Sequence, residues 1–176
     1  WGLAIVIQTP EGHTYMYDTG SNYPNAGFDA GKDMIAPFLE RNNIKEIDGV
    51  VISHSHNDHF GGFQYLMKNF KIKQLYDNGY PFPSGNPEYD SIYKPEFIKN
   101  GGLYKILKQG DTLNWDKHLE VVVLSPPKDY INDDPIRHTD HSTHHNPNLN
   151  SIVLRVRYKN NVFLFTGDIN LLGQEY

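Results

Sequence analysis

The apolar run Val50-Val51-Ile52 ends at Ser53 and is followed at once by His54-Ser55-His56-Asn57-Asp58-His59, four metal-capable side chains in six positions. A strand that closes in imidazoles and a carboxylate, then meets the glycines of Phe60-Gly61-Gly62-Phe63, has the form of a strand end feeding a helix start. Open α/β sheets carry their ligands there. Extended chain sends alternate side chains to one face, so His54 and His56 can present two imidazoles to a single ion. Asp58 and His59 come after the chain has turned and either face a second ion or complete the first. Gly61 and Gly62 allow close backbone approach where the next helix begins. A solvated histidine loop needs neither this density nor this placement, and the hexapeptide is read as a metal site.

With 176 residues, the chain is long enough for one domain with a real core. It has no Cys, so any ion must take nitrogen and oxygen donors, which suits Zn²⁺ or Mn²⁺ as one or two ions. The formal charge of −5 gives no global attraction to nucleic acid. Lys94, Lys99, Lys105 and Lys108 could form a local basic strip but read as solvated lysines. The 12 Tyr are assigned mainly to packing. No apolar stretch approaches the length of a membrane span, so no membrane contact is expected from this segment. Localisation and oligomeric state are not legible. Trp1-Gly2 runs straight into a strand pattern and Asn170 to Tyr176 opens a helix that stops. Residues 1–176 therefore read as one domain, a fragment of a longer chain truncated at both ends.

Along the chain, Leu3 to Gln8 and His13 to Asp18 flank Pro10-Glu11-Gly12 as a β-hairpin, followed by a loop over 19–30. A helix is predicted from about Gly31 to Arg41, kinked or shortened by Pro37. Val50 to Ser53 is a buried strand, Phe60 to Phe70 a helix, and Ile72 to Tyr76 a strand. This alternation signals layered α/β. Tyr80 to Asp90 reads as irregular, and a helix near Ser91 to Lys99 has Pro95 in its first turn or is kinked by it, and ends at Gly101-Gly102. Tyr104 to Lys108, Leu113 to Trp115 and Leu119 to Leu124 read as strands. Ser151 to Tyr158 pairs through Lys159-Asn160-Asn161 with Val162 to Thr166. Ser125 to Asn150 is long for a structureless connection and reads as functional or mobile.

Asp168, in Thr166-Gly167-Asp168 after a strand, can bridge two cations, with Gly167 leaving space for it. Asp18 closes a strand in the same way and is expected behind the ligands, orienting an imidazole through its free N–H. The histidines of segment 138–145 read as a loop rather than as ligands. His13 and His118 are expected to be solvated or structural.

Tyr15-Met16-Tyr17-Asp18-Thr19-Gly20, Ser53 to Gly62, Asn148-Leu149-Asn150-Ser151 and Phe165-Thr166-Gly167-Asp168, in this order, resemble the metallo-β-lactamase superfamily. The likeness is nearest to the hydrolase domain of ComEC-type DNA-uptake proteins. The resemblance implies a four-layer αββα sandwich with a one- or two-ion site at one edge. It also carries His54 and His56 to the first ion, Asp58 and His59 to the second, and Asp168 between them. Many members place a third first-site histidine after the strand corresponding to Leu119 to Leu124, where this chain has Ser125-Pro126-Pro127-Lys128. Asn148, Asn150 or a histidine of 138–145 could replace it. The family's last second-site histidine lies beyond Asp168, and no His follows Asp168 in this sequence. The expected activity is hydrolysis of a phosphodiester, from a small molecule or a nucleic acid, by a metal-activated hydroxide that Asp58 orients. The rivals are another ester, thioester or lactam as substrate, or a metal-binding but inactive recognition module.

Overall fold

A computed structural model of the chain describes residues 2–80, 88–129, 147–170 and 174. The opening hairpin forms as expected, with β1 (Ala4–Gln8) antiparallel to β2 (Thr14–Thr19). From β2 the sheet continues in parallel through β3 (Gly49–Val51), β4 (Gln74–Asp77) and β5 (Leu103–Ile106), in that order. A second, wholly antiparallel sheet runs β6 (Thr112–Leu113), β7 (Leu119–Ser125), β8 (Val153–Tyr158) and β9 (Asn161–Phe165).

Strand alternation assigns each side chain to a layer. Tyr15, Tyr17 and Val51 turn toward the second sheet and meet Trp115, Val121, Val123 and Leu154. Met16, Val50 and Leu75 turn the other way, against Leu39, Phe60, Phe63, Leu66 and Phe97 of the helices. The first sheet is thus buried on both faces, as its parallel strands require. The described residues lay out helix, sheet and sheet of the αββα sandwich. On the outward face of the second sheet, where the fourth layer of such a sandwich belongs, Leu124 and Leu164 are exposed.

Several predicted elements are corrected. Helix α1 (Ala36–Arg41) continues a wide turn over Gly31–Ile35, and α4 (Lys94–Lys99) continues another over Tyr89–Tyr93. Pro95 lies in the first turn of α4, one of the two places expected for it, and Pro37 lies in the first turn of α1 without shortening it. The Ala36 N–H bonds to the Gly31 carbonyl and the Lys94 N–H to the Tyr89 carbonyl, a π-type register. That wider turn moves aside the carbonyl a proline ring would strike. Tyr89 and Asp90 are therefore helical, while 81–87 lie outside the described residues. The predicted helix from Phe60 divides into α2 (Asn57–Phe60), which takes in half of the metal hexapeptide, and α3 (Phe63–Asn69). Lys71–Ile72 leaves the main sheet to pair with Glu46–Ile47. The 19–30 loop holds a short ribbon, Asn22–Tyr23 with Phe28–Asp29. In the last hairpin Tyr158 pairs with Asn161, so the turn is Lys159-Asn160 alone, with Lys159 at φ +53°.

Lys94 is not a solvated lysine: its ammonium lies between Asp90, at 2.5 Å, and Asp77, at 3.2 Å. The Lys108 amine is also turned inward, and burial lowers its pKa to about 8. His118 is exposed and His13 faces Asp48 at 3.6 Å, both away from the metal hexapeptide. Most of the 125–150 connection, with the 138–145 histidines, lies outside the described residues, as does most of the expected helix over 170–176. No helix among the described residues is long and apolar enough to cross a membrane.

Candidate metal centre

The site is assembled at the ends of β2, β3 and β9. β3 ends at Val51, the chain bends at His54 and Ser55, and His56 is extended again directly before α2. The two imidazoles meet, but through this bend rather than by strand alternation. His54 Nε2 and His56 Nδ1 face each other at 2.8 Å. Asp58 and His59 lie within α2, so the helical turn swings them to the adjoining side. His59 Nε2 stands 3.4 Å from Asp168 Oδ2 and 3.8 Å from Asp58 Oδ2. One ligand atom each from His54, His59 and Asp168 falls within 4.8 Å of the others. These three form one candidate group, with His56 beside His54 and Asp58 beside His59. His54 and His59 form a buried wall, whereas the Asp58 and Asp168 side chains are 42% and 45% exposed at the mouth.

The donor set fits a divalent cation. Tetrahedral zinc with bonds of about 2.0–2.1 Å holds its ligand nitrogens about 3.3 Å apart, so the His54–His56 pair needs to open by only about half an ångström. Nitrogen and carboxylate oxygen suit Zn²⁺ or Mn²⁺. Burial, followed by the charges of His59 and His56, holds His54 well below the ordinary imidazole range. It is therefore neutral at pH 7 and has a lone pair to give.

Asp18 orients this array as expected, by a local device the sequence did not reveal. Ile5 pairs with Tyr17 and Ala4 with Thr19, so Asp18 is the extra residue of a β-bulge, at φ +58°. A bulge re-aims its side chain. Here it turns the carboxylate under the metal loop, where it is fully buried. Asp18 Oδ1 accepts the Ser53 N–H at 2.6 Å, and Oδ2 accepts the Ser53 hydroxyl at 2.8 Å and His59 Nδ1 at 2.7 Å. Since the Ser53 proton goes to Asp18, its oxygen is left to accept from His54 Nδ1 at 3.0 Å. Both buried imidazoles are thereby engaged from behind at Nδ1, with Nε2 directed at the site. Burial pulls the His59 pKa down, but the hydrogen bond and charge of Asp18 override it and hold the ring above its ordinary value.

Gly167 leaves the space for Asp168 expected of it, by a close backbone approach to Ser53. At φ +51°, a Cβ there would lie 2.9 Å from Ser53 Cβ and Oγ. Only glycine lets β9 come down onto Ser53 and bring Asp168 to His59. Ser53 and Ser151 were missed as functional groups. Ser151 Oγ lies 3.4 Å from His54 Nδ1, and the Asn148 side chain hydrogen-bonds His56. A hydroxyl directly before the first histidine was the legible signal for Ser53; the other contacts join residues far apart in sequence.

Comparison with known proteins agrees with this geometry. The model of the metallo-beta-lactamase superfamily matches residues 2–175. ComE operon protein 3 of Bacillus subtilis (strain 168) is 27% identical over 151 residues, covering 84% of this chain and 17% of that protein. Ribonuclease J of Helicobacter pylori (strain ATCC 700392 / 26695) is 36% identical over 73 residues, covering 40% of this chain and 10% of that protein. The chain thus spans less than a fifth of the length of these relatives. Among solved structures, a subclass B3 metallo-beta-lactamase from a soil metagenome library matches with a TM-score of 0.52 at 16% identity, over 92% of this chain and 55% of that one. Zn²⁺-bound PqqB from Methylobacterium extorquens matches with a TM-score of 0.54 at 11% identity, over 92% of this chain and 50% of that one. Fold, family model and likeness to ComE operon protein 3 agree, and the chain belongs to the metallo-β-lactamase superfamily of metal-dependent hydrolases.

Proposed function

We propose that this domain hydrolyses a phosphodiester with one or two divalent cations, Zn²⁺ or Mn²⁺, held by His54, His56, Asp58, His59 and Asp168. The observation that carries the reading is the convergence of His59 Nε2 on Asp58 and Asp168 beside the His54–His56 pair. Donors divided between the His54–His56 pair and the His59, Asp58 and Asp168 group suit two neighbouring cations, and paired cations suit the attacking and leaving oxygens of an in-line displacement. A bound cation supplies an acidified water and a polarised ester oxygen. The chain's own groups do the rest. Asp58, at the mouth, accepts a hydrogen bond from the attacking water and sets its approach. Asp18 and Ser53 keep the His59 and His54 lone pairs directed inward. Asn148, against His56, is the candidate for the place of the third first-site histidine. The match to a protein named ribonuclease J favours a phosphodiester among the ester substrates.

The test is turnover of bis(p-nitrophenyl) phosphate and of single-stranded DNA with added Mn²⁺ or Zn²⁺, set beside His56→Ala. Turnover by the wild type that the variant loses supports the hydrolase. Equal rates would leave only background, and metal binding without turnover of any ester would leave a recognition module.

A further inference from the structure

Asn78 lies just past the end of β4, is almost wholly buried, and is not among the five expected ligands. Its Nδ2 donates to the Asn150 carbonyl at 2.7 Å and makes a longer contact of 3.5 Å with the Ser53 carbonyl. Its Oδ1 accepts the Tyr80 N–H at 2.9 Å. The Ser53 carbonyl also accepts the Ile152 N–H at 2.9 Å. A single amide therefore stands at the corner where the last residue before His54 meets the segment 147–152, which leads into β8.

That segment supplies the groups behind the first-site imidazoles, with Ser151 Oγ near His54 Nδ1 and the Asn148 side chain on His56. Asn78 is itself set by its neighbour. Asp77 accepts from the Tyr104 hydroxyl at 2.6 Å, the Gly79 N–H at 2.7 Å, the Tyr89 hydroxyl at 2.9 Å and Lys94 at 3.2 Å. This hub pins the end of β4 to β5 and to the wide turn before α4. Two carbonyl oxygens near one another require a donor between them, and an amide supplies both that donor and an acceptor for Tyr80.

We propose that Asn78 is a positioning residue for the first-site imidazoles, holding segment 147–152 in register with the strand end that carries His54. The proposal rests on the reading of the site as a metal centre. It predicts that Asn78 affects cation affinity at His54 and His56 beyond its effect on stability, because groups behind a ligand set its orientation.

The experiment is Asn78→Asp in the full chain, which keeps the size and the acceptor for Tyr80 but puts a carboxylate against two carbonyl oxygens. Asn78→Ser, uncharged and smaller, serves if the aspartate variant does not fold. Tyr104→Phe is the control, since it loosens the Asp77 hub and leaves the Asn78 amide in place. Zn²⁺ affinity is read by calorimetry and ligand geometry by Co²⁺ absorption, both well below the melting temperature of each apo-protein. The expected result is a roughly 10–100-fold loss of affinity with an altered Co²⁺ spectrum for the Asn78 variants, and neither change for Tyr104→Phe. Wild-type affinity and spectrum in the Asn78 variants, whatever their melting temperatures, would overturn the proposal. Equal losses in Tyr104→Phe would also overturn it, by showing general loosening. A wild type that binds neither ion would instead overturn the metal-centre reading on which the proposal stands.

Discussion

Asp18→Asn removes one charge from the centre of the array and almost no volume. Asparagine tolerates the left-handed φ of +58° at this position, so the backbone adds little cost. The carboxylate accepts three hydrogen bonds, two from Ser53 and one from His59. Bonds to a charged buried group contribute about 1.5–3 kcal/mol and neutral ones about 0.5–1.5, so losing the charge over three bonds predicts at most about 3 kcal/mol of destabilisation, reduced by relief of the burial that raises the Asp18 pKa. The amide must also place its NH₂ somewhere. Facing the Ser53 N–H it meets a donor that cannot move. Facing the Ser53 hydroxyl and His59 it meets groups that can, because the hydroxyl rotates and His59 can carry its proton on Nε2 instead. The second arrangement costs less, and it blocks the lone pair that faces Asp168. Zn²⁺ affinity should then fall by at least about 10–100-fold. Urea denaturation of the apo-protein measures the first effect, calorimetric Zn²⁺ titration the second, and imidazole ¹⁵N shifts the tautomer. If the variant binds Zn²⁺ as tightly as the wild type with His59 still protonated at Nδ1, the account of Asp18 is wrong.

Gly167→Ala should cost about 1–2 kcal/mol from the left-handed backbone alone and weaken Zn²⁺ binding as the new Cβ, pressed against Ser53, moves Asp168 away from His59, read by denaturation and calorimetry together. Trp115 is 2% exposed and stacks on Tyr15 with ring centroids 4.4 Å apart, so Trp115→Ala should destabilise by about 3–5 kcal/mol in urea melts. Burial lowers the pKa of Lys94, but Asp77 and Asp90 outweigh it and the ammonium sits above the ordinary lysine value. A pKa raised on folding gives stability that is complete below the unfolded lysine value and is lost as pH rises through the folded one. Urea melts should therefore show a stability gap between wild type and Lys94→Met that is constant from pH 7 to about pH 10 and closes above it; a gap that closes below pH 9 would refute the pairing.

Much of the site was legible because its residues are close in sequence or sit at readable strand ends. His54, His56, Asp58 and His59 share one hexapeptide, and Gly167 and Asp168 follow a run that alternates as a strand should. The opening and closing hairpins were visible for the same reason, since period-2 patterning and turn residues are local signals. What failed was local in scale but settled by neighbours. The turn before each proline widened rather than broke, because α1 and α4 had apolar faces to keep against the first sheet. Lys94 read as solvated because the sequence does not show that β4 ends with Asp77 beside it.

The sequence by itself determined the donor set, its order and its chemistry: imidazole and carboxylate without sulfur, at the end of a buried strand, within a layered α/β chain. Tertiary structure alone decided which nitrogen of each ring faces the site, that a bulge turns Asp18 beneath Ser53, and that Asn78, Asn148 and Ser151 stand behind the first pair of imidazoles. The reason is physical. Ligand identity is a property of a residue and its near neighbours, whereas the direction of a lone pair depends on which hydrogen-bond partner, often a hundred residues away, the packing of two sheets brings within about 3 Å.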